Sequence, residues 1–226
     1  PVEAFMLGGG SMVFRDQKTA TKDLDLVFNT TAACNEFIRA IERIGFVRKP
    51  ASDLEPAYRK LDAAGVWLNQ DDFRMDLFVQ TACNCLELSG SMIARSKELG
   101  AFGKLLVKTV SNEDVVLFKA VTERPDDVND IAAVVRTSRI DWGTVLEECR
   151  RQSVNRVWYG ALCNKFNELK EKHGIDAPIR REVCRLDRDN MVREAYGVRV
   201  KQGKSRRDAV ADLRRMGFTK KELSSL

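Results

Sequence analysis

Short apolar runs separated by turns fill the first half of the chain, and longer runs with helical spacing fill the second. Glu3–Leu7 is apolar and stops at three glycines, which predicts a buried strand. A glycine bend then feeds a helical turn at Ser11–Arg15, and Leu24–Phe28 reads as a second strand. Thr30 or Thr31 caps a helix with Phe37, Ile41 and Ile44 on one face, and Gly45 ends it. Phe46–Val47 and Val66–Leu68 read as short strands around a helical or irregular stretch at Asp53–Leu61. After the turn at Asn69–Asp72 the chain alternates strictly. Phe73, Met75, Leu77 and Val79 share one strand face, and Arg74, Asp76 and Phe78 share the other.

Leu105–Val110 is a further strand, and Ser111-Asn-Glu-Asp114 has the spacing of a capping box that opens a helix through Thr122. Pro125 is expected at the first position of the next helix. Trp142–Arg150 and Val154–Lys172 carry helical periodicity. Two short amphipathic helices close the chain, one capped at Ser205 with Val210, Leu213 and Met216 as its stripe, the other capped at Thr219. The order predicts an α+β (mixed α/β) first half, residues 1–136, and a helical C-terminal region, residues 137–226.

Composition narrows the chemistry. Of 226 residues 44% are hydrophobic and 31% charged, enough for a real core. No run approaches the roughly 18 apolar residues of a membrane helix, and the opening residues carry no basic segment of a secretory signal. Six cysteines are then expected as reduced thiols in a cytoplasmic protein, Cys83 and Cys85 lacking the second pair of a zinc site. The one histidine, His173, lies at a polar helix end, so Ser–His–Asp hydrolysis and histidine-based zinc sites have no material. Chemistry run by carboxylates and a divalent cation needs no histidine. Charge is uneven: residues 176–226 hold 14 Lys/Arg against 8 Asp/Glu, and the rest of the chain is close to neutral. A near-neutral core with a basic appendage suits a phosphate-rich partner.

Three features coincide in the first half. A strand runs into Gly8-Gly9-Gly10-Ser11, an eleven-residue gap follows, and Asp23-Leu24-Asp25 sits at the start of the next strand. Strand residues two apart face the same way, so Asp23 and Asp25 place two carboxylates side by side. Asp76, inside an apolar strand, is a third. Adjacent carboxylates repel, and a divalent cation makes such a group tolerable. Three of them suit in-line displacement at phosphorus. A bend without Cβ atoms lets backbone N–H groups approach phosphate oxygens, and Ser11 adds a hydroxyl.

These residues, in this order, resemble the signature of the DNA polymerase β-like nucleotidyltransferase superfamily. The fuller stretch Gly8-Gly-Gly-Ser-Met-Val-Phe, Arg15 and Thr21-Lys-Asp-Leu-Asp-Leu-Val-Phe28 is similar to its AbiEii-type branch, found in abortive-infection and toxin–antitoxin systems. Lys119 on a helix, followed by Arg124-Pro-Asp-Asp127-Val-Asn-Asp130, continues that pattern, and the likeness covers about residues 3–136. The resemblance implies a mixed twisted sheet flanked by helices. It also implies that Asp23, Asp25 and Asp76 hold Mg²⁺ or Mn²⁺, with Asp76 orienting or deprotonating the attacking hydroxyl. Gly9, Gly10 and Ser11 would hold the phosphates of a nucleoside triphosphate, Lys119 would contact the triphosphate, and Asp127 would support that lysine.

The expected activity is Mg²⁺-dependent transfer of a nucleoside monophosphate to a hydroxyl acceptor: tRNA or another RNA, a protein, or a small molecule. The basic C-terminus, with Lys201, Lys204, Arg206, Arg207, Arg214, Arg215, Lys220 and Lys221, favours RNA. A toxin–antitoxin or phage-defence role, with a cognate toxin or antitoxin as partner, belongs to the same expectation. The competing reading is an inactive nucleic-acid- or protein-binding module on the same fold. The acidic triad separates the two, because a binding module has no use for it.

Overall fold

Alternation with a period of two sets which side chains each strand sends to either side of the sheet. In the computed structural model, which describes residues 1–53, 64–122, 124–154 and 157–226, the chain opens with β1 (Val2–Met6), α1 (Gly8–Val13), β2 (Asp23–Phe28) and α2 (Thr31–Arg43). There follow β3 (Val47–Arg48), β4 (Gly65–Leu68), β5 (Arg74–Val79), the hairpin β6 (Thr81–Ala82) and β7 (Leu86–Glu87), α3 (Gly90–Arg95), β8 (Lys97–Phe102) and β9 (Leu105–Thr109). The remainder is helical: α4 (Asn112–Val121), α5 (Asp127–Thr137), α6 (Trp142–Gln152), α7 (Tyr159–His173), α8 (Arg180–Lys201) and α9 (Arg206–Arg215).

The main sheet has the order β3-β4-β5-β2-β1-β9-β8. It is mixed: β1 pairs antiparallel with β2 and parallel with β9, while β2 pairs parallel with β5. On one face Ala4, Met6, Leu26, Phe28 and Leu77 pack against Phe37 and Ile41 of α2. On the other, Phe5, Val27 and Phe78 join a larger core built with α4, α5, α6 and α7. Burying each such aromatic ring is worth about 1.5–3 kcal/mol. The core runs without a break from Phe5 to Val183, so α6 and α7 pack on the same centre as the sheet's helices. A separate small cluster of Val192, Leu213, Phe218 and Leu223 holds α8, α9 and the last turn together.

Local signals explain most boundaries. Thr30 caps α2 by accepting from the Ala33 N–H at 3.1 Å, and Gly45 leaves it at φ +94°. Ser111 and Asp114 form the reciprocal capping box of α4. Ser205 caps α9, and Gly217 leaves it at φ +91°. Four expectations need correction. The glycines after β1 form the first turn of α1 rather than a bend before it. Pro125 lies in a turn ahead of α5, which starts at Asp127, so it shapes the approach and not the first helical position. The stretch after Thr219 keeps the expected side-chain bonds to Glu222 but closes only a 3-10 turn at Glu222–Ser225. Cys163 and Cys184 are disulfide-bonded rather than free thiols, because α7 and α8 pack closely enough to bring their Cα atoms to 4.9 Å. The stretch expected at Asp53–Leu61 falls mostly outside the described residues. Among the described residues no helix is long and apolar enough to cross a membrane.

Candidate functional site

β2 and β5 run parallel and in register, with Asp23 opposite Arg74 and Asp25 opposite Asp76. Paired residues on neighbouring strands point to the same side. The alternation that sends Leu24, Leu26, Met75 and Leu77 to the α2 side therefore gathers Asp23, Asp25, Arg74 and Asp76 on the opposite side, at the end of the strands that α1 and α4 approach. Asp76 is 2% exposed, where an unpartnered carboxylate would be costly.

Arg74 supplies the local counter-charge. Its Nη2 donates to Asp23 Oδ2, and its Nε lies 3.0 Å from Asp76 Oδ1, so one guanidinium joins a carboxylate on each strand. It does not neutralise the group. Burial, and then Asp23, push the Asp25 carboxyl up to about 6, while Arg124, Lys119 and Arg74 pull the other way. Burial and then Asp25 push Asp76 up to about 7 against the pull of Arg74. Two neighbouring acids thus resist ionising together, as a crowded carboxylate group does without a further cation. Their oxygens are the hard donors that Mg²⁺ and Mn²⁺ prefer, so the residues present fit such an ion. Among the described residues no cluster of three or more His, Cys, Asp or Glu side chains forms a ready-made ion cage.

The glycines allow the chain to come close. A Cβ on Gly8, at φ +55°, would lie 2.5 Å from Asp25 Oδ2, so only glycine leaves that carboxylate its room. Gly9 and Gly10 meet a different constraint: a Cβ there would strike Thr21 and Leu24 of the neighbouring segment, so they let α1 sit down on β2. The first turn of α1 leaves N–H groups without intrahelical acceptors. Ser11, expected to donate to phosphate, is fully buried; its Oγ contacts Thr109 Oγ1 at 2.7 Å and accepts from Arg15 Nη1 at 2.6 Å. Arg15 also donates to the Val110 carbonyl. In this arrangement Ser11 and Arg15 anchor α1 to the end of β9.

Across the cleft, Lys119 stands on α4 with its Nζ 2.9 Å from Asp127 Oδ1 and 2.7 Å from Asp130 Oδ2. Burial works against this ammonium, but the two aspartates outweigh it and raise its pKa. Asp127 is buried and also accepts from Thr122 Oγ1 at 2.6 Å, so its orientation is fixed and it holds the lysine. Lys18 closes the chain of charges on Asp130. The cleft between these groups is lined by Gly8, Asp25, Cys83, Phe118, Lys119 and Arg124, among others. Acidic on the sheet side and basic on the helix side, it can hold an anion through Lys119 and Arg124 while the carboxylates take cations.

Of the residues singled out from the sequence, Asp25 and Lys119 line this cleft, Asp23 and Asp76 stand beside Asp25 on β2 and β5, and Asp127 holds Lys119. Gly9 and Gly10 face Thr21 and Leu24, and Ser11 is buried against Thr109. Sequence reasoning left out three contributors. Arg74 was legible as a face-mate of Asp76, but its partner on the other strand depends on the register. Arg124 was part of the quoted pattern without a role. Cys83, whose thiol burial and then Asp25 push up to about 12, reaches the cleft only because Cys83 and Asn84 take left-handed conformations in the β6–β7 turn.

Residues 1–173 match the family described as nucleotidyltransferase of unknown function (DUF6036). No curated protein matches the chain. Among solved structures, that of ANT(2'')-Ia in complex with adenylyl-2''-tobramycin aligns with a TM-score of 0.42 and 15% identity, covering 60% of this chain and 79% of that one.

Proposed function

Because the chain belongs to the nucleotidyltransferase family of unknown function (DUF6036), we propose that it moves a nucleoside monophosphate from a nucleoside triphosphate to a hydroxyl acceptor with Mg²⁺ or Mn²⁺ bound at Asp23, Asp25 and Asp76. The observation that carries this reading is the register of β2 and β5, which sets Asp25 beside Asp76 in a cleft faced by Lys119 and Arg124. A divalent cation there supplies charge stabilisation for a phosphoryl group in displacement. The chain's own groups do the rest. Lys119, held by Asp127 and Asp130, receives the triphosphate oxygens. Gly8 leaves Asp25 open to the cleft. Gly9 and Gly10 seat α1 so that its first N–H groups face the phosphates. An Asp76 oxygen accepts the proton of the acceptor hydroxyl, whose oxygen forms the new bond to the α-phosphorus as the bond to the β-phosphate oxygen breaks and pyrophosphate leaves.

For the acceptor we favour RNA, such as tRNA. Arg206, Arg207, Arg214, Lys220 and Lys221 are exposed on α9 and the turn after it, where phosphate neutralisation would contribute most of the affinity. An AbiEii-type toxin–antitoxin or phage-defence role, with a cognate protein partner, follows from the same sequence pattern. The test is incubation with each labelled nucleoside triphosphate, Mn²⁺ or Mg²⁺, and total RNA or cell protein. Label in RNA, lost on removal of residues 200–226, is the expected result. Label in protein would move the acceptor, and no label in any fraction would leave the binding-module reading in its place.

A further inference from the structure

One side chain of this site already makes contacts that a divalent cation would make. Arg74 and Asp76 lie two residues apart on β5 and so share a face, and the register sets Asp23 opposite Arg74. From that position the guanidinium reaches Asp23 on β2 through Nη2 and Asp76 on its own strand through Nε. The oxygens it engages, Asp23 Oδ2 and Asp76 Oδ1, belong to two of the three carboxylates assigned above to the ion. An arginine and a cation cannot both hold them from the same side.

We propose that Arg74 is a built-in competitor of the divalent cation: its guanidinium holds Asp23 and Asp76 together, and cation binding requires it to let go. The inference rests on the nucleotidyltransfer reading of this site. Position makes the release feasible. The side chains of Arg74 and its partner Asp23 are 21% and 30% exposed, whereas the side chain of Asp76 is 3% exposed. The guanidinium therefore bridges from the rim to a buried acid, and it can swing toward water without unpacking the core. Charge gives the reason for the contact. Without Arg74 three carboxylates would crowd one end of two strands. With it the strands stay paired, and the group keeps spare negative charge to draw in an ion. An arginine suits this work because its planar fork meets two carboxylates at once and stays charged at any physiological pH.

The experiment is titration of the full chain with Mn²⁺ alone, by calorimetry at pH 7.5, comparing the unaltered protein with Arg74→Ala and Arg74→Lys. If Arg74 competes, Arg74→Ala binds Mn²⁺ about tenfold or more tightly than the unaltered chain, as loss of a charge-assisted contact in competition implies. Arg74→Lys, which keeps the charge but loses the fork, falls between them. Loss of a nearby positive charge alone would also tighten Mn²⁺ binding in Arg74→Ala but would leave Arg74→Lys equal to the unaltered chain; that result, or equal or weaker binding in both variants, overturns the proposal. Should the variants fail to fold, the Nε–H resonance of Arg74 is followed in the unaltered chain during Mg²⁺ addition. It should shift as the ion pairs break, and a resonance that stays fixed while Mg²⁺ binds overturns the proposal as well. If neither the unaltered chain nor any folded variant binds Mn²⁺, the cation reading itself fails. That outcome is distinct from binding that Arg74 does not affect.

Discussion

Two charged clusters in this molecule are built from the same parts and arrive at opposite results. Between α3, α4 and α6, Arg95 bonds Asp114 through Nε and Nη2 and reaches Glu148 at 2.8 Å. Ser111 completes Asp114; Ser89, Ser91 and Gln152 complete Glu148. Burial opposes the charge on Glu148, but these hydrogen bonds outweigh it and lower its pKa, whereas at Asp114 burial outweighs Arg95 and Ser111 and leaves the pKa raised. At the end of β2 and β5 one arginine bridges two of three carboxylates, and burial with mutual repulsion lifts Asp25 to about 6 and Asp76 to about 7. The first cluster is rich in donors and ties three helices together, although Arg95 and Glu148 also border a polar pocket with Ser91 and Arg151. The second is short of positive charge and opens on a cleft. A buried acid that the fold has fully bonded holds structure, whereas one left short of partners marks where the fold expects something to bind.

Substitutions should separate the clusters most sharply. Asp25→Asn or Asp76→Asn is expected to remove nucleotidyl transfer, by about a thousandfold or more if the ion is lost, while denaturant unfolding shows a fold at least as stable as before. Loss of the fold with activity per folded molecule unchanged would erase the contrast. Arg95→Ala should do the reverse. It strands two buried carboxylates and should cost about 3–5 kcal/mol in urea unfolding, with cation binding at the cleft unaffected in the folded fraction.

Stability against pH sharpens the same contrast. The folded-state pKa values of Asp25 and Asp76 lie above the ordinary carboxylate range, so the folded chain binds more protons than the unfolded one between about pH 4 and 7. Their contribution to stability is therefore present at the acid end of that window and is lost as pH rises through it. Asp76→Asn should gain on the unaltered chain across the window, by on the order of 1–3 kcal/mol at pH 7.5, in melts without divalent ions. A constant difference from pH 4 to 8 would contradict the crowding. Lys119→Ala should weaken nucleoside triphosphate binding by about 1–3 kcal/mol in calorimetry, since the lysine is held by its aspartates and faces the cleft. Ser111→Ala, which removes the cap of α4 beside the donor-rich cluster, should cost about 1 kcal/mol and leave triphosphate binding as it was.

What the sequence discloses follows from the range of the interaction concerned. Asp23, Asp25 and Asp76 were legible because strand alternation is local and puts each on a polar face inside an apolar run. The caps of α2, α4 and α9 were legible because a cap spans three residues. The glycines misled in form, since Gly8, Gly9 and Gly10 read as a bend but open α1, Gly8 leaving room for Asp25 and Gly9 and Gly10 seating the helix on β2. β8 stayed hidden because it is an edge strand, largely exposed, and its residues show no clean alternation. Pairings across the fold left no trace. Arg95 finds Glu148 53 residues away, and Cys163 finds Cys184 across two helices. Asp23 meets Arg74 only once the register of β2 against β5 is set.

The place of β1 has a consequence for how the chain is made. Its two neighbours in the sheet are β2, which follows closely, and β9, whose Leu105 pairs with Val2 about a hundred residues downstream. At roughly 5–20 residues per second, a ribosome that has released β1 needs a further ~5–20 s to deliver β9. For that interval one edge of β1, an interior strand bearing the core residues Ala4 and Phe5, has no partner. Nascent chains stalled before residue 105 should therefore aggregate or recruit a chaperone, and chains stalled after the α4 segment has emerged should not. In refolding from denaturant, closing that long loop is the slow event, so a chain joined to bring β9 ahead of β1 should fold faster than the natural order.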